Sequence, residues 1–346
     1  MRDIPSLTAI RGVAALWVVL HHITLSYLLV YAFQGYHPLI LGLFKGFAGV
    51  DMFFVLSGFI LTLVYHELNP AGLGNFALRR ILRIFPLHLF VLAVLAALSL
   101  AHLANGQVEL ATLPIVAFML SPYVGLTHGL WNPVIWSTGV ELSCYLAFPL
   151  ALPALRRLGL PALVLLALAA AYGAWLNQLT QTHNAGIWTG WGAILRGWSG
   201  FWLGVPVGLI ALRVTLPRLV AILLELAALA GLGWACAHYY SPLVPLATAG
   251  LIWALTRQAG PASWLLRQRP MVFLGQVSFS LYMLQIPLLD VLSKLWPLPQ
   301  SQVLGLRGAL HLAAYLLALI ALSALAYKFI ERPGQRFHRV LRRPLA

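Results

Sequence analysis

Apolar runs of bilayer length recur along the chain, separated by short polar breaks. They fall at 8–30, 45–66, 81–103, 134–154, 160–177, 197–212, 218–237, 242–256, 272–293 and 307–329. Because roughly 20 apolar residues cross a hydrocarbon core, the pattern predicts about ten transmembrane helices. The runs at 197–212 and 242–256 are short for a span and read as tilted, extended or irregular. The stretch 110–122 is too short to cross and contains Pro114, so it reads as re-entrant or interfacial. Loops are short except 103–133 and 178–196, which are predicted to face outward. These two carry Trp131, Trp188, Trp191, His128 and His183 and almost no charge. They line either an entrance for a sugar-like acceptor or an ordinary interfacial aromatic belt.

Composition supports a polytopic protein. Of the 346 residues, 61% are apolar and 9% charged, against roughly 25% charged in a soluble domain. The expected fold is an all-α, polytopic membrane bundle forming a single domain over 1–346. With the N-terminus in the cytoplasm, 18 of the 22 Lys and Arg residues fall on cytoplasmic segments; only Lys45, Arg196, Lys294 and Arg307 lie on or near the other side. This bias follows the positive-inside rule, puts both termini in the cytoplasm and would be broken by an odd number of spans. The net charge of +14 is therefore mostly topology. Spread over six cytoplasmic segments, it makes no patch for nucleic acid. The first helix lacks a clear cleavage site and is expected to remain uncleaved. Cys144 and Cys236 lie in predicted spans without metal-ligand company, so neither a disulfide framework nor a metal site is expected.

Chemistry concentrates in a few polar positions inside the apolar runs, where ionisable groups are costly and usually functional. Arg11 and His22 are eleven residues apart, about three helical turns and ~16 Å along one helix face. Arg11 is an anion-binding group near one membrane face. His22, beside His21, is either a general base for a hydroxyl or a packing histidine. Ser137, Glu141 and Tyr145 are spaced i, i+4, i+8 and share a face. Glu141 either orients a catalytic histidine, as the acid of a triad does, or partners an arginine of a neighbouring span. Arg79, Arg80 and Arg83 form a cationic cluster opening the third span. It suits either phosphate recognition by guanidinium forks or lipid headgroups. Gly46, Gly49 and Gly58 permit close helix approach. Asp51 near the outer end is either wet and structural or paired with a histidine or arginine of the first span. Tyr282 and Gln285, one turn apart, suit hydrogen bonding within the bundle; Glu331 is expected to pair with nearby arginines at the surface. Glu225 and Asp290 are isolated acids with no assigned role.

Taken in order, these segments resemble the membrane acyltransferase family 3, bacterial O-acyltransferases that modify sugars. The likeness covers most of the chain: Arg11-Gly12 ending at His22; Gly49-Val-Asp51 to Ser57-Gly58; Arg79-Arg80 to Arg83-Ile-Phe-Pro86; Trp136-Ser137 to Glu141 and Tyr145; Gly275 to Ser278 and Tyr282; and Ile330-Glu331-Arg-Pro333. The resemblance implies a multi-pass protein of the bacterial inner membrane with no permanently bound cofactor. It would transfer an acyl group, by default acetyl, from cytoplasmic acyl-CoA to a hydroxyl of a cell-surface polysaccharide or lipid-linked sugar. It implies His22 as the catalytic histidine and Arg80 and Arg83 as the acyl-CoA site; beside it, Glu141 is expected to act in catalysis by orienting His22, and Arg79 or Arg11 to assist in binding the donor. Asp51, Ser57, Ser137, Tyr145 and Tyr282 would bind substrate or support the site. The chain departs from the family in having Gln285 where a histidine often stands. It also shows no appended esterase-like domain, so a second transfer step would need another protein. A transporter or flippase for a sugar-lipid or small solute would use the same spans and buried charges, but no paired half-sequences suggest inverted repeats.

Overall fold

A computed structural model describes residues 4–28, 42–43, 45–104, 108–126, 130–181, 190–237, 243–299, 303 and 305–340, without the side chains of 178–181 and 337–340. The described residues form helices and no strands. In chain order the helices are α1 (Pro5–Ile23), α2 (Ala48–Tyr65), α3 (Leu73–Leu100), α4 (Leu113–Ala117), α5 (Ile135–Leu155), α6 (Leu160–Gln181) and α7 (Gly190–Arg213). Then follow α8 (Arg218–Ala237), α9 (Leu243–Leu255), α10 (Pro261–Leu266), α11 (Arg269–Gln276), α12 (Ser278–Leu295), α13 (Leu306–Ala326) and α14 (Arg332–Val340). Eight helical segments among the described residues are long and apolar enough to span a membrane, nine with the bent pair α11–α12. The remaining predicted span, 242–256, is α9, 13 residues long, well short of the ~20 that cross a bilayer straight.

Where the helices begin and break differs from the sequence expectation. The third span starts at Leu73, so Arg79, Arg80 and Arg83 sit inside the helix instead of opening it. The expected outer loop 178–196 is shorter, because α7 begins at Gly190 and takes Trp191 and Arg196 into the helix. The run 272–293 is not one straight span: α11 and α12 meet at Val277 with a bend of 66°. Apolar periodicity does not register such a break, since both arms are apolar. The bend accompanies a backbone-to-backbone crossing of α1 and α11. A Cβ on Gly12 would run into the backbone of Leu274 and Gly275, and one on Gly275 into Thr8 and Ala9. Glycine removes the side chain that would hold the helices apart.

The stretch 110–122 does not cross, as expected. It forms a 3-10 turn at Leu110–Thr112 and the short α4, pinned to α3 where the His88 Nε2 lies 2.9 Å from the Val116 carbonyl oxygen. Trp131 is buried and its indole donates to the Glu109 carbonyl and the Thr112 hydroxyl, so it is packing and lines no entrance. Trp188, His128 and His183 lie outside the described residues.

Burial ranks the helices. In α2 with its preceding turn, 72% of the spanning window is buried, against 17% for α6 and 22% for α8. The helix with the fewest lipid-facing positions carries Asp51 and Ser57. It packs on α7 through facing small residues: a Cβ on Gly204 would strike the Val55 carbonyl, and one on Gly58 the Phe201 carbonyl. Around this central pair, α1, α3, α5, α7, α12 and α13 contribute Val18, Leu87, Val140, Ala193, Leu281 and Leu319 to one continuous apolar core. The polar residues below sit in the gaps of that core.

Candidate active site

The polar gap starts where α3 meets α2 and α5. A cavity of about 390 Å³ is lined by Arg11, Phe53, Ser57, Arg80, Arg83, Glu141 and Tyr145, among others. A second, of about 460 Å³, shares Arg11, Phe53 and Glu141 with it and adds Ser137, Phe279 and Tyr282. Arg11, Phe53 and Glu141 therefore border both voids. Helical spacing predicted this convergence on α5, where Ser137, Glu141 and Tyr145 share one face.

Glu141 is held from one side only. Its Oε1 accepts from the Ser57 hydroxyl at 2.5 Å and the Tyr145 hydroxyl at 2.5 Å, and those two hydroxyls are 3.0 Å apart. Its Oε2 has no protein partner among the described residues, and the side chain lines both cavities. Arg11 makes no hydrogen bond or ion pair among the described residues and lines the same two voids. Arg11 feels the charges of Glu141 and Glu331, but its donors are not spent on either, so beside a polar void it is a receptive position for an anion.

Arg80 lies over the rings of Tyr65 and Tyr145, each at 5.6 Å, and donates to the Tyr65 hydroxyl at 3.4 Å. It has no carboxylate partner among the described residues. Arg83 does have one: its Nη1 donates to Glu331 Oε1 at 2.8 Å. Glu331 is buried and also accepts from Ser280 and Gln335. It is thus an internal anchor for Arg83, not the surface partner expected. Arg79 lines neither cavity, so the three-arginine cluster resolves into two cavity residues and one outside it.

Asp51 is also placed differently from its sequence reading. Its partner is Arg196 of α7, not a residue of α1: Nε donates to Oδ1 at 2.7 Å and Nη2 to Oδ2 at 2.9 Å. Arg196 also donates to the Phe47 carbonyl and lies over the Phe47 and Trp136 rings. Asp51 lines neither cavity. A bidentate pair of this kind, lining neither cavity, is a structural fastener between α2 and α7.

His22 sits further along α1, and its partner is Gln285. The ring Nδ1 is 3.0 Å from the Gln285 Oε1 and 3.0 Å from the Val18 carbonyl oxygen. Both neighbours are acceptors, because the Gln285 amide nitrogen donates to the Tyr282 carbonyl at 3.0 Å. The proton therefore belongs on Nδ1, leaving Nε2 with a lone pair. The expected contact between Glu141 and His22 is not made. Gln285 holds the imidazole where a carboxylate was anticipated, and its signal in the sequence is its place one turn after Tyr282. Tyr282 ties the two halves together: its hydroxyl is 2.7 Å from that of Ser137 and donates to the Val134 carbonyl at 3.1 Å. Its ring lines the deeper cavity, while its carbonyl orients Gln285.

Comparison with known proteins gives a consistent picture. The family described as "Acyltransferase domain" matches residues 4–328. Among curated proteins, an O-acetyltransferase, OatA, of Staphylococcus aureus is 21% identical over 96% of this chain and 57% of its own length. An uncharacterized protein of Haemophilus influenzae is 37% identical over 30% of this chain and 48% of its own. The chain spans about half the length of the curated relatives it matches. No solved structure matches.

Proposed function

The chain belongs to this acyltransferase family, and from that premise we propose that it is a bacterial inner-membrane O-acyltransferase. It moves an acyl group, acetyl by default, from cytoplasmic acyl-CoA to a hydroxyl of a carbohydrate acceptor, a cell-surface polysaccharide or a lipid-linked sugar. The observation that supports this reading is Arg11, a guanidinium with no side-chain hydrogen bond among the described residues, on the wall of both cavities beside Arg80, Arg83 and Glu141.

The donor's phosphates dock on Arg80 and Arg83 at the arginine-rich face, with Arg11 as the deepest cation. Guanidinium forks match phosphate oxygens, and aromatic stacking preorganises Arg80 for them. The pantetheine arm runs along the joined cavities past Phe53 and Tyr282. At the reacting centre the acceptor oxygen attacks the thioester carbonyl. A C–O bond forms, the C–S bond breaks, and the hydroxyl proton passes to His22 Nε2 and from there to the leaving thiolate. Gln285 and Val18 keep Nδ1 protonated, so that Nε2 is the basic atom. Glu141, fixed by Ser57 and Tyr145, is a positioning residue whose charge steadies Arg11 in the empty state.

The test is transfer from radiolabelled acetyl-CoA to bacterial envelope glycans by the protein in nanodiscs, comparing wild type with His22→Ala and Arg83→Ala. Label entering glycan, and lost in both variants, is the expected result. If no label moves from several acyl donors while solute counterflow proceeds without CoA, a transporter replaces the enzyme.

A further inference from the structure

A third cavity, of about 360 Å³, opens one turn beyond the His22–Gln285 pair. Its wall is Ile23 and Tyr27 of the first span, Leu289 of α12, and Gly308, His311, Leu312 and Tyr315 of α13, completed by Leu298 and Val303. It adjoins the proposed catalytic base closely. Ile23 follows His22 in the chain, and Leu289 lies one turn after Gln285. The Tyr315 hydroxyl donates to the Gln285 carbonyl at 2.9 Å. At Thr24–Leu28 the first span widens into a π turn, a feature frequent at functional sites; Tyr27 falls within it, on the cavity wall.

The lining decides what fits. Tyr315 spends its hydroxyl on Gln285, and the Tyr27 hydroxyl lies 3.2 Å from His311 Nε2. What faces the void is chiefly aliphatic and aromatic carbon, which offers a sugar few hydrogen-bond partners. The void, counted with its open mouth, leaves apolar space beyond what an acetyl methyl fills.

Resting on the acyltransferase reading above, we propose that this cavity receives the aliphatic chain of an acyl group longer than acetyl and sets the chain length the enzyme accepts. Leu312 sets the depth of the pocket. Adding or removing a methylene in an apolar pocket changes discrimination by about 10–200-fold, so substitutions here redistribute preference among donors.

The experiment runs acetyl-, butyryl- and hexanoyl-CoA through wild type, Leu312→Phe and Leu312→Ala in nanodiscs. Wild type is expected to accept all three. Leu312→Phe loses hexanoyl transfer by at least about tenfold and keeps acetyl transfer, and Leu312→Ala does not discriminate against hexanoyl. A donor profile identical in all three proteins, with acetyl transfer intact, overturns the proposal and leaves the acyltransferase reading standing. A second arm needs neither turnover nor variants. Wild type is irradiated with a hexanoyl thioester of pantetheine carrying a terminal diazirine, and labelled peptides are mapped. Label at Leu289, Leu298 or Leu312, competed by hexanoyl-CoA, supports the pocket; label only elsewhere overturns it. Should no donor support transfer in wild type, the acyltransferase reading fails and the labelling alone decides whether an aliphatic chain binds here.

Discussion

Two arginine–carboxylate arrangements sit in the middle of this bundle, and they are built to opposite rules. Asp51 and Arg196 are closed on one another: two short charge-assisted bonds, a carbonyl on the remaining guanidinium edge, and aromatic faces above it. Arg11 and Glu141 line the same two cavities, yet Arg11 has no bond among the described residues and Glu141 is held by one oxygen only. Sequence hydropathy treats Arg11, Asp51 and Glu141 alike, as costly charges in apolar runs, and leaves Arg196 in an outer loop. The difference between them is satisfaction. A saturated pair has nothing left to offer a ligand, so its contribution is to the fold. An unsaturated one keeps a desolvation cost that an incoming anion relieves.

That contrast can be broken or sharpened by experiment. The largest expected effect is on His22, which belongs to neither arrangement. His22→Ala should lower acyl transfer by about 10²–10⁴-fold, the usual contribution of a general base, with an unchanged melting temperature in detergent. Asp51→Ala should act on stability instead. Stranding a buried Arg196 costs about 3–5 kcal/mol, seen as loss of monodisperse protein or a steep fall in melting temperature. The double variant Asp51→Ala with Arg196→Leu should recover most of that stability, because an apolar replacement removes the uncompensated charge.

Arg11→Gln comes next. Losing a charge-assisted contact to the donor, worth about 1.5–3 kcal/mol, should raise the KM for acyl-CoA by roughly 10–150-fold at little cost to thermal stability. Were Arg11→Gln to melt the protein as Asp51→Ala does, the distinction between the two arrangements would collapse. The smallest effect belongs to Gln285→Leu. It removes one of two acceptors on His22 Nδ1, about 1 kcal/mol, and should reduce kcat several-fold with KM unchanged. An equal fall for donor binding would show that Gln285 supports the cavity and not the imidazole.

Much of this site was legible residue by residue. The i, i+4, i+8 spacing on α5 brought Ser137, Glu141 and Tyr145 to one face, and the structure puts all three on the two cavities. Ser57 and Tyr282, expected to bind substrate or support the site, become partners of Glu141 and Ser137. What stayed hidden was pairing across helices. Asp51 finds Arg196, 145 positions away, and Arg83 finds Glu331, 248 positions away. Nothing in a local pattern encodes such distances. Gln285 was singled out as a hydrogen-bonding residue without its partner, because its contact with His22 exists only where α12 lies beside α1.

The sequence by itself determined that the chain is a helical membrane bundle. Backbone groups in a bilayer must bond internally, and long apolar runs satisfy that only as helices. It also determined which positions would be expensive to bury, and therefore worth inspecting. Tertiary structure alone decided which of those charges neutralise one another and which are left open. That choice depends on which helices touch. Glycines that let α1 cross α11 and α2 cross α7 at backbone contact set it, as does the bend at Val277 that starts α12 and the residues it brings to Ser137 and His22. A hydrogen-bonded ion pair needs donor and acceptor within about 3 Å, whatever their separation along the chain, so only the packed fold could separate fastener from site.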